Sequence, residues 1–365
     1  MKTQEKQSAR NGNIDILRLL AMFMVVFQHL VTHSHLFDLL QPGTVDWYIW
    51  RLLYTGTIVA VNCFVLITGY FSVQGSYKKV KVFKLWGKTL FYSVAISVVF
   101  LGLGEIGLRK VAKSFLPVVT KEYWFITVYL ALYLLSPYIN RCLQNLSKSE
   151  FRSLMITMTC IFVVWNSVMP RWSTLDDTGG FGLLWFVYLY VLGAFLAMEF
   201  DIKKIKRWTY LIGYLLFIGI IVLIKTLFMK MGFEALSDAW YGYNTIFVLG
   251  AAVCLFCFFA SGNAAKGNYR VIKWFSPVAL DIYLITEQTQ IKERLFTEWL
   301  KIPEALGTYS LILFVLYSLG SVIAICIVCL LIGKIRMMLA SKLAAKAAVL
   351  VHRAQGDSMK EKDIA

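Results

Sequence analysis

The first apolar segment of the chain carries ionisable residues at a helical spacing. Arg18 and His29 are eleven residues apart, Asp15 lies one turn before Arg18, and His33 lies one turn beyond His29. At about 100° per residue an α-helix turns through roughly 1100° over that distance, so Arg18 and His29 project from one face. Their separation along the helix axis is about 16 Å. One helix face therefore presents a guanidinium group near one end and imidazole groups near the other.

An imidazole held away from water can take a proton from a hydroxyl group, which makes His29 a candidate general base. The plainer interpretation is that His29 is a hydrogen-bonded packing residue. Arg18 would then be an anchor at the membrane boundary, paired with Asp15. From the residues alone both interpretations stay open.

Other charged residues also fall inside apolar segments, where charge is costly and often marks a working site. Lys88 follows a group of four lysines at positions 78–84 and can meet either an anionic cofactor or lipid phosphate. Asp281 and Glu287 fall in a weakly apolar segment, which we expect to line a cavity.

Membrane-spanning helices are the elements that must hold these residues. Hydrophobic residues make up 59% of the 365 residues, charged residues make up 16%, and the mean hydropathy is +0.66. A soluble domain is about half apolar and a quarter charged, so the excess apolar surface must face lipid. Segments of about 20 mostly apolar residues predict an all-α polytopic protein with about ten transmembrane helices. The predicted spans are 14–34, 49–71, 85–104, 122–139, 153–170, 182–199, 208–228, 242–261, 273–291 and 308–333.

The loop charges predict an orientation. The N-terminus, the even-numbered loops and the C-terminal tail hold about 24 Lys and Arg, against about 9 in the other loops, which places both termini in the cytoplasm. We expect a cytoplasmic N-terminus (1–13), a membrane domain (14–333) and a basic cytoplasmic tail (334–365). The net charge of +16 lies in short loops, so no nucleic-acid partner is expected.

Motifs of soluble catalytic and metal sites are missing from the sequence. There is no P-loop, no metal-binding H-E-x-x-H and no nucleophile elbow. Two C-x-x-C pairs, Cys254 with Cys257 and Cys326 with Cys329, lie inside apolar segments without the polar neighbours that a zinc site needs. We therefore expect no bound metal and no resident cofactor.

Several short segments together resemble a known family, and they occur in the expected order over nearly the whole chain. They are Ile14–Met22 with the Arg-x10-His spacing that ends at His29, Phe64–Phe71, Lys84–Tyr92, Tyr123–Ile126, Leu135–Asn140, Leu184–Phe186, Leu192–Ala194, Phe275–Pro277 and Ile282–Ile285. In these segments the chain resembles the acyltransferase 3 family of integral-membrane proteins, which O-acylate bacterial surface glycans.

The resemblance implies that an acyl group, usually acetyl, moves from cytoplasmic acyl-CoA to a hydroxyl of a surface polysaccharide or related acceptor. It implies that Arg18 and His29 are the catalytic pair, and His29 would deprotonate the acceptor or carry the acyl group transiently. Arg18 and Lys88 would lie near the anionic donor, and Asp15 would orient Arg18. The aromatic residues Trp124, Tyr129 and Trp185 can line a sugar or pantetheine path, although core packing is the stronger interpretation for each.

The chain departs from the family pattern at two positions. Lys88 stands where members often have Arg, which keeps the charge and loses the bidentate fork. Thr286 stands where many members have His, which weakens any case for a second catalytic histidine there. The alternative function is a secondary transporter or lipid-linked-sugar flippase, which predicts inverted repeats or coupled carboxylates near the midplane. No convincing repeat is present, and a non-catalytic scaffold on the same fold is a third alternative.

Overall fold

The computed structural model describes residues 12–120, 122–169, 178–262 and 269–362, with the backbone alone at 234–235 and 343–362. Across these residues the chain is helical and forms no β-strand, which confirms the predicted all-α class. The α-helices are α1 (Gly12–His33), α2 (Leu36–Leu39), α3 (Val45–Thr57), α4 (Ala60–Ser72), α5 (Lys79–Gly102), α6 (Leu108–Ser114), α7 (Trp124–Asn145), α8 (Lys148–Thr159), α9 (Trp165–Val168), α10 (Leu183–Met198), α11 (Arg207–Lys230), α12 (Glu234–Ala239), α13 (Ile246–Ala260), α14 (Arg270–Phe275), α15 (Ala279–Thr286), α16 (Ile302–Thr308) and α17 (Leu311–Lys362). Two π-helical segments, Cys160–Val164 and Leu295–Trp299, and two 3-10 turns, Ile202–Lys204 and Ser276–Val278, complete the helical elements of this part of the chain.

Six described segments are long and apolar enough to cross a membrane. They are Gly12–His33, Val45–Ser72, Lys79–Gly102, Lys148–Val168, Arg207–Lys230 and Leu311–Lys342. They overlap the first, second, third, fifth, seventh and tenth predicted spans. The sixth and eighth spans, α10 and α13, are apolar but only 16 and 15 residues long. The fourth and ninth spans are not among the six, so the count of ten stays a prediction.

The outward faces of the long helices carry apolar side chains that no other part of the described chain covers. Exposed apolar residues recur along α11 and α17, among them Ile212, Leu216, Leu223, Leu227, Ile312, Leu316, Ile323 and Ile327. Contiguous apolar surface of this extent needs lipid to cover it. In contrast α1 lies inside the bundle, where Leu17, Ala21, Val26 and Leu30 are fully buried.

The ninth predicted span is not one continuous helix. It is divided into α14, a 3-10 turn at Ser276–Val278 and α15, which has only eight residues. Pro277 in the turn has no N–H group to donate, and its ring obstructs the preceding helical turn. The proline therefore accounts for the break before α15. α15 ends at Thr286, and Thr286 and the following Glu287 contact His29 and His33 of α1.

The second predicted span is interrupted as well. α3 ends at Thr57 and α4 begins at Ala60, so the backbone between them lacks regular helical hydrogen bonds. The buried Gln28 side chain of α1 donates to the Thr57 carbonyl oxygen at 2.7 Å. This bond satisfies a carbonyl that lipid could not solvate, and it anchors α1 to the break.

Two glycines allow α4 and α10 to cross at very short range. A Cβ atom on Gly69 would lie 2.1 Å from the Tyr190 carbonyl oxygen, and one on Gly193 would lie 2.5 Å from the Leu66 carbonyl oxygen. Small residues at such crossings let the helix backbones touch, as is common in membrane proteins. The crossing fixes α4, which lines the candidate site on its α1 side.

The predicted orientation and domain boundaries stay predictions. Residues 1–11, Lys121, Arg171 and Lys266, which contribute to the loop-charge comparison, lie outside the described residues, as do residues 363–365. Most of the predicted N-terminal segment 1–13 is therefore not described. α17 continues without a break through residue 334, where the basic tail was predicted to begin.

Candidate functional site

The C-terminal half of α1 packs against the end of α15, where their polar side chains form what we call the histidine cluster: His29, His33, Thr286 and Glu287. His29 Nε2 lies 3.1 Å from Glu287 Oε2, and His29 Nδ1 lies 3.3 Å from Thr286 Oγ1. His33 Nε2 lies 3.4 Å from the same Glu287 oxygen. The side chains of His29 and Glu287 are 14% and 12% exposed, so little water competes for these contacts.

The hydrogen bonds of this cluster favour a neutral His29 ring that is protonated at Nδ1. The Thr286 hydroxyl donates to the Ile282 carbonyl oxygen at 3.0 Å, which leaves its oxygen free to accept from His29 Nδ1–H. Nε2 is then the ring atom that can take a proton. Its lone pair faces the Glu287 carboxylate at 3.1 Å, so this contact becomes favourable only when Nε2 is protonated. A carboxylate there stabilises the imidazolium that forms when Nε2 takes a proton. Thr286 and Glu287 thus fix the orientation of the His29 ring.

The same cluster contains three side chains that can ligate a metal ion. In the part of the chain that the structure describes, the donor atoms of His29, His33 and Glu287 lie within 4.8 Å of one another. Two histidines and a carboxylate form a known ligand set for zinc. However, Lys292 Nζ lies 4.0 Å from Glu287 Oε1, and an ammonium group so close opposes the binding of a divalent cation. The arrangement therefore fits proton transfer better than metal binding.

The histidine cluster opens onto a cavity of about 210 Å³, which we call the histidine cavity. Its wall is largely aromatic. The ring centroids of Trp124 and Phe181 lie 4.7 Å apart, and those of Phe181 and Tyr243 lie 4.9 Å apart. Tyr283 lines the cavity beside His29. An apolar wall with a few convergent polar groups is typical of small-molecule binding sites.

A second cavity of about 440 Å³ is lined by three cations, Arg18, Lys81 and Lys88, and we call it the cationic cavity. No carboxylate occurs among its described lining residues. Arg18 Nη1 lies 2.8 Å from Oδ1 of the fully buried Asp15, and Ser276 Oγ donates to the same oxygen at 2.8 Å. Asp15 thus holds the Arg18 guanidinium, as expected from their spacing, and ties it to the turn before α15.

Two phenyl rings separate the cavities. Phe64 and Phe125 line both, and their ring centroids are 6.2 Å apart. Along α4 and α7 the cationic cavity extends from these rings toward Ser72 and Tyr133, and the histidine cavity extends in the opposite direction. The two cavities are therefore stacked along the bundle. Arg18 and His29 share a helix, as predicted, but each faces a different cavity and they do not meet.

Asp281 does not line either cavity. It is fully buried between two cations, with Lys88 Nζ 2.8 Å from Oδ1 and Arg336 Nη2 3.0 Å from Oδ2. Lys88 itself lines the cationic cavity. The ion pairs connect α15 to α5 and α17, so Asp281 positions the helix that ends in the histidine cluster.

The three aromatic residues singled out in the sequence have different surroundings. Trp124 lines the histidine cavity, and Tyr129 lines the cationic cavity, where its hydroxyl lies 3.2 Å from Thr68 Oγ1. Trp185 is fully buried, lines neither cavity and donates to Asn62 Oδ1 at 3.0 Å. Packing explains Trp185, whereas Trp124 and Tyr129 face space that a substrate can occupy.

Sequence reasoning missed several contributors to the site. Arg336 falls in the predicted basic tail, and Ser276, Phe64 and Phe125 occur only in the segments that carry the family resemblance, where no site role is predicted for them. Thr286 was noticed only as a departure, although it contacts His29 directly. All of these contacts join segments far apart in the chain, so no local spacing could have revealed them.

Comparison with known proteins gives the chain a family. A family model described as an acyltransferase domain matches residues 11–333. Neither the search of curated proteins nor the search of solved structures returned a match. The domain match favours the enzyme expectation over the transporter alternative. The chain therefore belongs to the acyltransferase 3 family, and with its six long apolar helices it is a membrane acyltransferase.

Proposed function

We propose that the chain transfers an acyl group, acetyl in the first instance, from acyl-CoA to a hydroxyl of a cell-surface polysaccharide or related glycan. The observation that carries this proposal is the stacking of a cationic cavity and a histidine cavity along one helical bundle, with two phenyl rings between them. Such a pair of sites suits a reaction whose anionic donor and neutral acceptor arrive from different directions.

The proposed topology has ten crossings of a bacterial cytoplasmic membrane, with both chain ends in the cytoplasm. The positive-inside distribution of Lys and Arg supports it. The N-terminal end of α1, which carries Arg18, then faces the cytoplasm, and the end that carries His29 faces outward. The cationic cavity is thereby on the side where acyl-CoA is available.

The donor would bind through its phosphates in the cationic cavity. Arg18, Lys81 and Lys88 supply three positive charges, and charge-assisted hydrogen bonds to phosphate are among the stronger polar contacts in proteins. Asp15 and Ser276 hold the Arg18 side chain at the cavity wall. The thioester end of the donor would then point along the bundle toward Phe64 and Phe125.

The acceptor would bind in the histidine cavity, against the aromatic wall formed by Trp124, Phe181 and Tyr243. His29 Nε2 removes the hydroxyl proton while the hydroxyl oxygen attacks the thioester carbonyl carbon. The C–S bond breaks, and the departing thiolate takes the proton back from the imidazolium. His33 keeps its contact with Glu287 while His29 turns to the acceptor. The alternative is that His29 carries the acyl group transiently, and trapping an acyl-enzyme with labelled donor distinguishes the two routes.

The test compares His29→Ala and Arg18→Ala with the unaltered protein, each shown to be inserted in the membrane. We expect His29→Ala to lower ester-linked acetate on the glycan by about 10²- to 10⁴-fold, the usual contribution of a general base. Arg18→Ala should raise the KM for acetyl-CoA. His35→Asn is the matched control, because His35 is exposed and asparagine tolerates its left-handed backbone. Unaltered acetylation in the His29→Ala protein would refute the catalytic role.

A further inference from the structure

Asp281 holds its two cations unequally. Arg336 Nη2 makes an aligned hydrogen bond to Oδ2 at 3.0 Å. Lys88 Nζ lies 2.8 Å from Oδ1, but Oδ1 has no hydrogen-bond partner, so this contact is an ion pair without hydrogen-bond alignment. The guanidinium is therefore the hydrogen-bonded partner, and the ammonium group is held by charge alone.

The backbone of α17 is built to bring Arg336 to this carboxylate. Gly333 lies one turn before Arg336, and a Cβ atom there would lie 2.5 Å from Asp281 Oδ2. Any larger residue at 333 would push the carboxylate away from α17. The close approach therefore depends on a glycine, as does the position of α15 against the C-terminal helix.

The Lys88 ammonium group can also pair with an anion bound in the cationic cavity, because Lys88 lines that cavity whereas Asp281 and Arg336 do not. A carboxylate buried with no cation beside it is strongly unfavourable. If Asp281 had only Lys88, moving Lys88 to a phosphate in the cavity would leave that carboxylate unpaired. With Arg336 present, Asp281 keeps one cation after Lys88 has moved.

We propose that Arg336 is a positioning residue for donor binding: it keeps Asp281 paired so that Lys88 can turn into the cationic cavity and bind a phosphate of the donor. The inference rests on the proposed anionic donor. It extends the working site beyond the matched acyltransferase domain, which ends at residue 333. The same movement loosens one of the two ties on α15, and so connects donor binding to the helix that contacts His29.

Substitutions that change the charges of Lys88, Asp281 and Arg336 distinguish a positioning role of Arg336 from a purely structural one. Arg336→Met leaves Asp281 with Lys88 alone, so Lys88 stays bound to it and the donor loses one charge-assisted contact. We expect Kd for coenzyme A and KM for acetyl-CoA to rise at least about tenfold, with kcat changed less than about twofold. Arg336→Lys should restore most of the affinity because it keeps the charge.

The decisive protein is the double variant Asp281→Asn with Arg336→Met. It removes the carboxylate and its fixed partner together, so Lys88 is again free and coenzyme A should bind within about threefold of the unaltered protein. Lys342→Met is the matched control, because it removes an exposed positive charge from α17 away from Asp281. Calorimetric titration of coenzyme A into detergent-purified protein, with size-exclusion profiles to check folding, measures these affinities.

The possible outcomes separate this inference from the proposed function. If the unaltered protein does not bind coenzyme A, the proposed donor is wrong. If the unaltered protein binds coenzyme A and Lys88→Met weakens binding, but Arg336→Met does not, the role of Arg336 is refuted. If the double variant binds as weakly as Arg336→Met, the contacts only support packing, and that result also overturns the inference.

Discussion

Thr286 provides a sharp test of how His29 is oriented. Replacing Thr286 with valine keeps the branched shape and removes the hydroxyl that contacts His29 Nδ1 at 3.3 Å. Thr286 is fully buried, so water cannot take the place of the hydroxyl, and the Nδ1–H group loses its acceptor. One such hydrogen bond contributes about 0.5–1.5 kcal/mol. We therefore expect kcat to fall by about two- to thirteenfold, at 1.36 kcal/mol per factor of ten.

The assay is steady-state acetyl transfer to the glycan by purified protein, with acetyl-CoA varied. The KM for acetyl-CoA should not change, because Thr286 does not line the cationic cavity. Thr286→Ser retains a hydroxyl and should retain at least half of kcat. An unchanged kcat in the valine variant, or an equal loss in valine and serine variants, would refute the assignment of the His29 proton to Nδ1.

Three further predictions concern the wall between the cavities, the helix crossing and the histidine cluster. Phe125→Ala should raise kcat/KM for hexanoyl-CoA relative to acetyl-CoA by about tenfold, because loss of the ring leaves room for the extra methylene groups. An unchanged ratio would contradict the proposal that the acyl group passes this ring. Gly69→Ala should lower the melting temperature or the folded yield, since overpacking costs about 1–3 kcal/mol, whereas Gly87→Ala, where a Cβ meets no atom within 4 Å, should not. Dialysis against a strong chelator should leave acetyl transfer intact, because Lys292 disfavours a dication at Glu287; a stoichiometric loss of zinc with activity would assign the cluster to a metal.

The sequence is informative about features that depend on the helical repeat within one segment. The apolar segments indicated the helices, and the spacing of Arg18 and His29 placed both on the inner face of α1. The same spacing also implied about 16 Å between them, which agrees with their facing successive cavities rather than each other. These inferences need only residues that are neighbours on one helix.

The contacts that complete the site come from helix packing, which a single sequence does not encode locally. His29 and Thr286 are 257 residues apart, and Asp281 meets Arg336 only because α15 and α17 are adjacent. The ninth segment was expected as one span because its average composition is apolar. Its division depends on Pro277 and on buried polar contacts that hold α15 in place, so the local average misses it.

If the proposed topology holds, the two phenyl rings between the cavities also determine where the membrane is sealed. In the proposed topology the cationic cavity would face the cytoplasm and the histidine cavity the opposite side, and Phe64 and Phe125, which line both cavities, would form the barrier between them. Most of the transmembrane voltage would then fall across these rings, at about 2.3 kcal/mol per elementary charge for each 100 mV. An acyl group is uncharged and passes this barrier without electrical work, while the phosphates of the donor stay on the cytoplasmic side. In this proposal the barrier would let an acyl group cross the membrane while the donor nucleotide stays in the cytoplasm and the ion gradients across the membrane are kept.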